Sequence, residues 1–521
     1  MASATGGLHT FAIMNEDQLS ARTRQNLNAE TTNAAALDRQ PRIGIVGAGV
    51  AGIATAVILQ RAGFRDFTIY EKGDDVGGVW HWNRYPGLTC DLPSYLYQYS
   101  FALKPDWSRL FASREEIKDY HSEVVDRFAL RRHLRLNSEI TAAVFEGSTW
   151  RLSLADGTHS EVDFLILATG LLHHPYIPDL PGLESFTGDV VHSAHWSDSL
   201  TTAGKRIAVI GNGSTGVQLV TALQPEATRV LHFVRTPQWI VWIPANTRPL
   251  RAIGMALRVC PWLNRALHTA MLLTEDVLTD ILIRPSWRRR LFEGLSRWTL
   301  RMQVRDRELR ARLTPTYSAM CKRQVFSAGY YRAIQAPNAD LMTEEVQQVT
   351  PTGIMTADGK HHNVDMIVLA TGFRAHNYMR PMKLVGRDGL DINDAWTKGP
   401  RAYRTTALPG FPNLFTVLGP HSSTGSISLQ YSSELTARYI AQWLQRFRVG
   451  EFETVEVTEE ATNRFNDDVA RALTSTVWTT GCRSWYLTDE GNVDLWPFDR
   501  KTMATMLEAP DPQDFNLSRG S

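Results

Sequence analysis

The amino-acid sequence predicts an α/β fold with two Rossmann-like domains and a helical insertion in the second domain. Two short apolar runs, one ending at Val46 and the other at Ile210, are each followed by a glycine-rich turn and a stretch with helical spacing. A third observation is the stretch 241–320, which is rich in Leu, Trp and Arg and repeats its apolar residues at helical intervals. Because a glycine-rich turn between a buried strand and a helix opens a βαβ unit, two such turns predict two domains.

The composition of the chain narrows the class of protein. The 521 residues are 43% hydrophobic and 21% charged, which is typical of globular proteins and excludes a disordered or fibrous chain. Lys and Arg number 55 against 54 Asp and Glu, and this balance argues against a nucleic-acid binder. No apolar run reaches the roughly 18 residues of a membrane-spanning helix, and no secretory signal is visible, so we expect no integral membrane segment.

The cysteines and histidines give no indication of a metal site. Cys90, Cys260, Cys321 and Cys482 are too few and too scattered for a disulfide framework, and none lies in a CxxC motif. No HExxH motif or cluster of His and Cys ligands appears, so we expect no metal. These features favour a reducing compartment, and we expect the protein to be cytoplasmic.

The first βαβ unit has the glycine spacing of a dinucleotide site. Its predicted strands are Ile43–Val46 and Phe67–Tyr70, and the helix between them is predicted over Ile53–Ala62. The glycines of the turn let the backbone approach a pyrophosphate, whose charge the helix N-terminus stabilises. An acid about 20 residues after the last glycine accepts hydrogen bonds from ribose hydroxyls. The residues in these roles are Gly47, Gly49, Gly52 and Glu71.

The second βαβ unit carries a basic residue where the first carries an acid. Its predicted strands are 205–210 and Val230–Val234, and the second of these is followed by Arg235 and Thr236. A guanidinium pairs with a 2′-phosphate, whereas a carboxylate would repel it, so this unit predicts NADPH rather than NADH. The alternative is that Arg235 is a solvated arginine at a strand end. The expected nucleotide-binding residues of the turn and helix are Gly211, Gly213, Ser214, Thr215, Gly216 and Gln218.

Two dinucleotide sites in one chain indicate electron transfer from a nicotinamide to a flavin, so we expect FAD in the first domain and NADPH in the second. Two apolar runs that end in Ala-Thr-Gly, at Gly170 and Gly372, mark expected crossings between the domains. The basic face of the insertion is expected to be solvated, with an anion-binding or membrane-surface role as the alternative. We predict an N-terminal arm at 1–40, an FAD domain at 41–185 and 372–521, an NADP domain at 186–240 and 321–371, and the insertion at 241–320.

Three further motifs resemble those of one enzyme family. Phe186, Gly188, His192 and Trp196 form an FxGxxxHxxxW pattern that resembles the fingerprint of type I Baeyer–Villiger monooxygenases, which are class B flavin-dependent monooxygenases. The stretch from Gly77 to Asp91 is similar to a second family segment, and Cys321-Lys322-Arg323 is similar to the segment that carries the family's active-site arginine.

The fingerprint also departs from the family in one place. Ser197 follows Trp196 where the family continues with Pro or Asp. This departure keeps open the related flavin monooxygenases that oxygenate sulfur or nitrogen, whose own pattern has Tyr or Phe at the position of Trp196.

The resemblance implies an FAD- and NADPH-dependent enzyme that acts on a ketone and O2. It implies that one oxygen atom is inserted next to the ketone carbonyl through a flavin C4a-peroxide, giving an ester or lactone. The alternative S- or N-oxygenating monooxygenase uses the same cofactors without carbon migration. The ketone, the oligomeric state and the purpose of the N-terminal arm stay open.

The resemblance also implies roles for polar residues. Arg323 is the expected catalytic cation, because a guanidinium stays charged and stabilises an anionic oxidant; the alternative is a second phosphate clamp on NADPH. Asp91 is expected to orient Arg323, or else to cap a helix. Lys322 is expected to join Arg235 on the 2′-phosphate, or else to be solvated.

Aromatic and fingerprint residues have expected roles of a different kind. Val79, Trp80 and Tyr97 are expected at the flavin pocket, with ordinary core packing as the alternative. Trp485 is similar to a family tryptophan at the nicotinamide ribose, although a glycine- and proline-containing stretch after it is missing. We expect His192 and Trp196 to tie the domains together, and we do not assign His192 as a general base.

The sequence argues against two other classes of protein. A flavin disulfide reductase needs a cysteine pair near the first domain, where Cys90 stands alone. A nucleotide-sensing module without turnover would lack the catalytic cation or the glycines, and the sequence has both.

Overall fold

The computed structural model describes residues 40–243, 247, 249, 251–422 and 425–519. Apart from Gln40, the predicted N-terminal arm lies outside the described residues. Within the described residues, no helix combines the length and the apolar content needed to cross a bilayer.

The strands are numbered in chain order. They are β1 (Ile43–Val46), β2 (Phe67–Tyr70), β3 (Leu134–Arg135), β4 (Ile140–Glu146), β5 (Thr149–Leu154), β6 (His159–Val162), β7 (Phe164–Leu167), β8 (Asp189–His192), β9 (Arg206–Ile210), β10 (Arg229–Phe233), β11 (Ile240–Val241), β12 (Val325–Phe326), β13 (Ala339–Met342), β14 (Val346–Thr350), β15 (Gly353–Thr356), β16 (His361–Asn363), β17 (Met366–Leu369), β18 (Lys383–Val385), β19 (Leu414–Thr416), β20 (Thr454–Val457) and β21 (Phe515–Ser518).

The α-helices are numbered in the same way. They are α1 (Val50–Arg61), α2 (Val79–Trp82), α3 (Arg114–Arg127), α4 (Ser214–Leu223), α5 (Arg251–Val259), α6 (Pro261–Ile283), α7 (Trp287–Gln303), α8 (Arg307–Arg312), α9 (Tyr330–Ala333), α10 (Ile392–Ala395), α11 (Leu429–Arg448), α12 (Glu459–Leu473) and α13 (Arg500–Met506).

The first sheet is parallel and has the strand order β19-β7-β1-β2-β3. Val46 at the end of β1 lies level with Tyr70 on one side and Leu167 on the other. The glycine turn after β1 therefore sits at the carboxyl edge of the sheet, where open α/β sheets bind their ligands. Helix α1 begins at Val50, three residues earlier than predicted, because the helix already starts inside the glycine motif.

The second sheet is also parallel, with the order β13-β10-β9-β17-β8. Leu369 at the end of β17 pairs with both His192 and Ile210, so the glycine turn after β9 again lies at the carboxyl edge. The two parallel sheets confirm the predicted α/β fold with two Rossmann-like units.

The insertion is helical, as predicted, and consists of α5 to α8. Its two ends meet in a short parallel pair in which Ile240 lies opposite Val325 and Val241 opposite Phe326. Helix α6 packs on the first core through partly buried leucines, and His268 of α6 hydrogen bonds to the carbonyl of Tyr95 through Nδ1 at 3.0 Å.

Smaller sheets complete the two units. A four-stranded sheet, β18-β4-β5-β6, covers the first unit, and a three-stranded antiparallel sheet, β14-β15-β16, accompanies the second. The first parallel sheet takes its strands from residues 43–167 and 414–416, and the second from residues 189–369. The domain boundaries at 185, 240, 320 and 371 stay a prediction.

A disulfide joins two segments that the sequence analysis left unpaired, and it counts against the reducing compartment inferred from the scattered cysteines. Cys321 and Cys482 are bonded with their Cα atoms 6.2 Å apart, and they lie 161 positions apart in the chain. Spacing arguments do not predict this pair, because only the tertiary fold brings the two cysteines together. Cys90 and Cys260 are free.

The disulfide gives a testable prediction. A bond that closes so long a loop stabilises a fold by roughly 2–4 kcal/mol, largely by restricting the unfolded chain. We therefore expect Cys482→Ser to lower the thermal unfolding midpoint, and Cys260→Ser, which removes a free cysteine, to leave it unchanged. Mass mapping without reductant should recover the two cysteine peptides as one linked species; two unlinked thiols in protein purified in air would contradict the pairing.

Candidate active site

The turn after β1 is shaped so that only glycine fits at two positions. Gly47 has a φ of +104°, and a Cβ there would lie 2.6 Å from the carbonyl oxygen of Ala168. A Cβ at Gly52 would lie 1.9 Å from the carbonyl oxygen of Gly47. Gly49 caps α1 without a side-chain hydrogen bond, so the first amide groups of α1 face the turn. Free amides at a helix N-terminus and a close backbone fit the pyrophosphate of FAD.

Glu71 at the end of β2 is buried against this turn. Its Oε2 accepts a hydrogen bond from the Ala48 amide and its Oε1 accepts one from the Gly73 amide, both at 2.8 Å. Each carboxylate oxygen can accept a second hydrogen bond. The structure thus shows that Glu71 fixes the glycine turn, and its predicted contact with ribose stays a prediction.

The turn after β9 repeats the same construction. Gly211 has a φ of +110°, and a Cβ there would lie 2.3 Å from the carbonyl oxygen of Ala370. A Cβ at Gly216 would lie 1.9 Å from the carbonyl oxygen of Gly211. At Gly213 a Cβ would meet no atom within 4 Å. Gly213 also caps α4, again without a side-chain hydrogen bond. Ser214 and Thr215 form the first turn of α4, so this end of the helix fits a second pyrophosphate.

Two cations lie near each other beyond the second turn. Arg235 is exposed just after β10, and Thr236 beside it accepts a hydrogen bond at its carbonyl from Asn212 Nδ2 at 2.6 Å. Lys322 is half-buried with Nζ 4.7 Å from the centre of the Tyr317 ring. Burial lowers the pKa of Lys322, and the positive charge of Arg235 lowers it further. Two neighbouring like charges favour an anion between them, and a 2′-phosphate has that charge.

Arg323 and Asp91 form a bidentate ion pair. Nε of Arg323 donates to Oδ2 of Asp91 at 2.9 Å, and Nη2 donates to Oδ1 at 2.8 Å. The two side chains are only 29% and 22% exposed. Burial alone would lower the pKa of the Arg323 guanidinium. The charge and the hydrogen bonds of Asp91 have a larger effect and raise this pKa above its usual value. Arg323 is therefore a fixed cation, and Asp91 contacts the side chain that it was predicted to orient.

Aromatic side chains surround this ion pair. Trp80 donates from Nε1 to the hydroxyl of Tyr97 at 2.9 Å, and the two rings meet edge to face at 5.6 Å. Burial raises the pKa of Tyr97, and the nearby charges of Asp91 and Arg323 act on it in opposite directions. Burial also raises the pKa of Tyr486 to about 12, with Arg323 offsetting part of the rise. The cation thus lies in an apolar aromatic setting with neutral hydroxyls.

The loop that carries Asp91 is held on the second βαβ unit. Val79 begins the short helix α2, and the chain then runs through Tyr85 to Asp91. The Tyr85 hydroxyl donates to Oε1 of Gln218 on α4 at 2.9 Å and lies 3.2 Å from Oγ1 of Thr215. Nε2 of Gln218 donates in turn to the carbonyl of Thr89 at 3.0 Å. Tyr85 was not singled out from the sequence, although it lies within the Gly77–Asp91 motif.

The fingerprint residues lie at the edge of the second sheet. His192 ends β8, donates from Nε2 to the carbonyl of Gly372 at 3.1 Å and accepts at Nδ1 from the Ala194 amide. Burial lowers the pKa of His192, and both ring nitrogens are engaged in hydrogen bonds. A Cβ at Gly188 would lie 2.4 Å from the carbonyl oxygen of Asp365. Phe186 and Trp196 are buried in the two cores of this unit.

The disulfide holds the segment that contains Trp485 close to the segment that contains Arg323. It lies three residues after Cys482, whose partner Cys321 is two residues before Arg323. The Trp485 ring packs on Tyr486 at 4.5 Å and is half-buried. Its carbonyl accepts a hydrogen bond from Nε2 of His376 at 3.0 Å.

The sequence analysis missed a buried polar network beside this segment. Oδ2 of Asp494 accepts hydrogen bonds from Nδ1 of His376 at 3.0 Å and from the Tyr378 hydroxyl at 2.6 Å, and Oδ1 accepts one from the His421 amide at 2.6 Å. Burial would raise the pKa of Asp494, but hydrogen bonding with His376 and the charges of the two histidines hold it below its usual value. The network fixes the Gly-Pro-His turn that follows β19. No sequence pattern links its three distant segments.

Metal ligands are not grouped in the described part of the chain. No set of three or more His, Cys, Asp or Glu side chains there could hold a metal ion.

Comparisons with known proteins show which proteins the chain is similar to. The family model described as pyridine nucleotide-disulphide oxidoreductase matches residues 44–253. A protein called Baeyer-Villiger monooxygenase from Streptomyces coelicolor is 36% identical over 476 residues, with 88% of each chain covered. A protein of the same name from Pseudomonas aeruginosa is 35% identical over 481 residues, with 90% of each chain covered.

Solved structures have a similar overall fold. The crystal structure of OTEMO in complex with FAD and NADP is similar with a TM-score of 0.83 and 26% identity, covering 92% of this chain and 100% of that one. The closed structure of cyclohexanone monooxygenase gives a TM-score of 0.82 and 27% identity, covering 92% and 99%. With its glycine turns, its Arg323–Asp91 pair and these relatives, the chain belongs to the family of Baeyer–Villiger monooxygenases.

Proposed function

We propose that the protein is an FAD- and NADPH-dependent monooxygenase that inserts one oxygen atom of O2 beside the carbonyl of a ketone, giving an ester or lactone. The observation that carries this proposal is the bidentate pair of Arg323 and Asp91. The glycine turns after β1 and β9, which are built for pyrophosphates, support it. A permanent cation in an aromatic setting suits an oxygenation in which negative charge develops on oxygen.

The two cofactors fit the two glycine turns. When bound, FAD supplies the oxygen-activating chemistry and NADPH supplies the reducing electrons. Gly47, Gly49 and Gly52 with Glu71 would hold FAD at the N-terminus of α1. Gly211, Gly213 and Gly216, with Ser214 and Thr215, would hold NADPH at the N-terminus of α4. Val79, Trp80 and Tyr97 would line the flavin side, and Trp485 the nicotinamide side.

Arg323 is proposed as the catalytic cation. It lies in partly buried surroundings, where a positive charge acts more strongly than in water. Its guanidinium would stabilise negative charge on oxygen as the carbonyl is attacked, and it spends no proton in doing so. Asp91 would fix its orientation, because the two parallel hydrogen bonds allow one geometry of the guanidinium.

Arg235 and Lys322 are proposed to bind the 2′-phosphate of NADPH. The support is their mutual proximity, which lowers the pKa of Lys322 beyond the effect of burial. Gln218 would position the loop of Asp91 rather than touch the nucleotide, since both ends of its amide are bonded to that loop. The fingerprint residues Phe186, Gly188, His192 and Trp196 would set the junction between the units.

The proposal also covers the cellular compartment in which the protein works. We propose that the protein works in the cytoplasm, where NADPH is supplied as a reductant. Cell fractionation followed by detection of the protein tests this location, and recovery in a secreted fraction would contradict it.

Product analysis tests the proposed reaction. Purified protein supplied with NADPH, O2 and a panel of cyclic ketones should give lactones that are heavier than the ketone by one oxygen atom. A thioether in parallel reports heteroatom oxygenation. Sulfoxide formation without any lactone across the panel would instead assign the protein to the S- or N-oxygenating monooxygenases.

The catalytic cation gives a second prediction. Arg323→Ala should lower kcat for ketone oxygenation by about 10²–10³-fold, because the electrostatic stabilisation is lost, while FAD absorbance is retained. Arg332→Ala, which removes a nearby exposed arginine on α9, is the matched control and should keep normal turnover. Ester formation by Arg323→Ala at near wild-type rate would remove the assigned role.

Cofactor selectivity gives a third prediction. Arg235→Ala should raise KM for NADPH by about 10- to 100-fold, since a charged hydrogen-bonding partner of the phosphate is worth roughly 1.5–3 kcal/mol. KM for NADH should change little, because NADH has no 2′-phosphate. Arg229→Ala is the control, since Arg229 lies at the other end of β10 and pairs with Asp340. Equal effects on both nucleotides would show that Arg235 does not contact the phosphate.

A further inference from the structure

Helix α7 of the insertion presents an apolar stripe to solvent. Its exposed side chains are Trp287, Leu291, Leu295, Trp298 and Met302, which are 67%, 61%, 50%, 59% and 64% exposed. Their spacing of four, four, three and four residues places all five on one face of the helix. The opposite face carries the buried Ser296, Thr299 and Leu300, so the stripe points away from the body.

The helices that precede α7 show the same feature. On α6, Trp262, Leu273 and Val277 are exposed at positions that share one face, and α5 exposes Met255 and Val259. Twelve of the twenty exposed large hydrophobic side chains of the described residues lie in these three helices. Single exposed hydrophobics are ordinary, but such a concentration marks a surface that binds a partner. We call the five exposed apolar side chains of α7 the apolar face.

Arginines flank the apolar face. On α7, Arg290, Arg297 and Arg301 are exposed along one side of the stripe and Arg288 along the other. Residues 251–303 contain nine arginines, no lysine and four acids. The acids are already engaged or buried: Asp276 pairs with Arg500, Asp280 with Arg284 and Arg288, Glu293 accepts from the Ala319 amide, and Glu275 is buried. Positive charge therefore prevails beside the apolar face.

This charge decides between two occupants of the apolar face. A second copy of the chain, related by twofold symmetry, would bring the same arginine rows toward each other, and opposed like charges are unfavourable. An anionic lipid surface offers negative phosphates to the arginines and an acyl boundary to the leucines and methionine. Tryptophan favours the same interfacial depth.

We propose that the insertion docks on a bilayer surface rich in anionic lipids through the apolar face of α7. Helix α7 lies in the plane of the interface and does not cross it. Leu291, Leu295 and Met302 enter the acyl boundary, the tryptophans lie at headgroup depth, and Arg290 and Arg301 pair with lipid phosphates.

The insertion is firmly attached to the rest of the protein. On α6, Oγ1 of Thr279 donates to the carbonyl of Ser426 at 2.5 Å, and His268 bonds to the carbonyl of Tyr95 at 3.0 Å. Both contacts are buried, so the helices and the first unit form one packed body. A bilayer that binds the apolar face therefore holds the whole enzyme at its surface.

Vesicle co-sedimentation of the full-length protein with bound FAD tests the proposal. One set of vesicles is made of phosphatidylcholine alone, and the other contains phosphatidylglycerol as well. We expect binding to the anionic vesicles that weakens as salt is raised, with little binding to the neutral ones. Absence of binding to the anionic vesicles at low salt would overturn the proposal.

Two sets of variants separate the apolar and the charged contributions. The triple variant Trp287→Ser, Leu291→Ser and Trp298→Ser should reduce partitioning to anionic vesicles at least tenfold. Arg290→Ala and Arg301→Ala should each reduce it about fivefold, since one arginine near an anionic surface contributes about that factor. The control Ile177→Ser with Val449→Ser removes side chains that are 52% and 46% exposed elsewhere and should bind as the parent does.

Fold and oligomeric state are measured on the same variants. All of them should keep FAD absorbance and turnover of a water-soluble ketone, because none of the changed residues lies at the Arg323–Asp91 pair. Equal vesicle binding by the triple variant and the parent would overturn the proposal. So would a dimer of the parent that the triple variant dissolves, because a second copy would then cover the apolar face.

Discussion

The bidentate contact between Arg323 and Asp91 is the interaction on which the site depends. The two residues are 232 positions apart in the chain, with Asp91 between β2 and β3 and Arg323 just before β12. Both are partly buried, so the loss of either partner would leave the other charge poorly solvated and unpaired. The pair therefore fixes a positive charge in one position and orientation.

Further contacts hold the segments around this ion pair in place. Tyr85 and Gln218 hold the loop of Asp91 on α4, and His192 holds the end of β8 to the segment after β17. The disulfide ties the segment of Arg323 to the segment of Trp485. Each contact is local, but together they bring the ends of the two glycine turns and the cation into one region.

Much of the fold could be predicted from the sequence because its signals are local. The glycines of both turns are required by positive φ or by close approach of the backbone, and short apolar runs mark the buried strands. Arg323 and Asp91 could be named individually, but their contact could not, since no local pattern encodes it. The same holds for the Asp494 network and the Cys321–Cys482 bond. Helical periodicity predicted the insertion, yet it does not tell a buried apolar face from an exposed one.

The short pairing of β11 with β12 has a structural consequence for the whole insertion. Because Ile240 and Val325 are neighbours, the helices between them leave and rejoin the second unit at a single point. The entropy of closing a loop rises slowly with its length, so residues can be gained or lost there at small cost. The insertion can thus diverge in size and surface chemistry while the nucleotide-binding strands keep their register. Changes in this segment can therefore alter the cellular location and the substrate of the protein without disturbing its nucleotide sites.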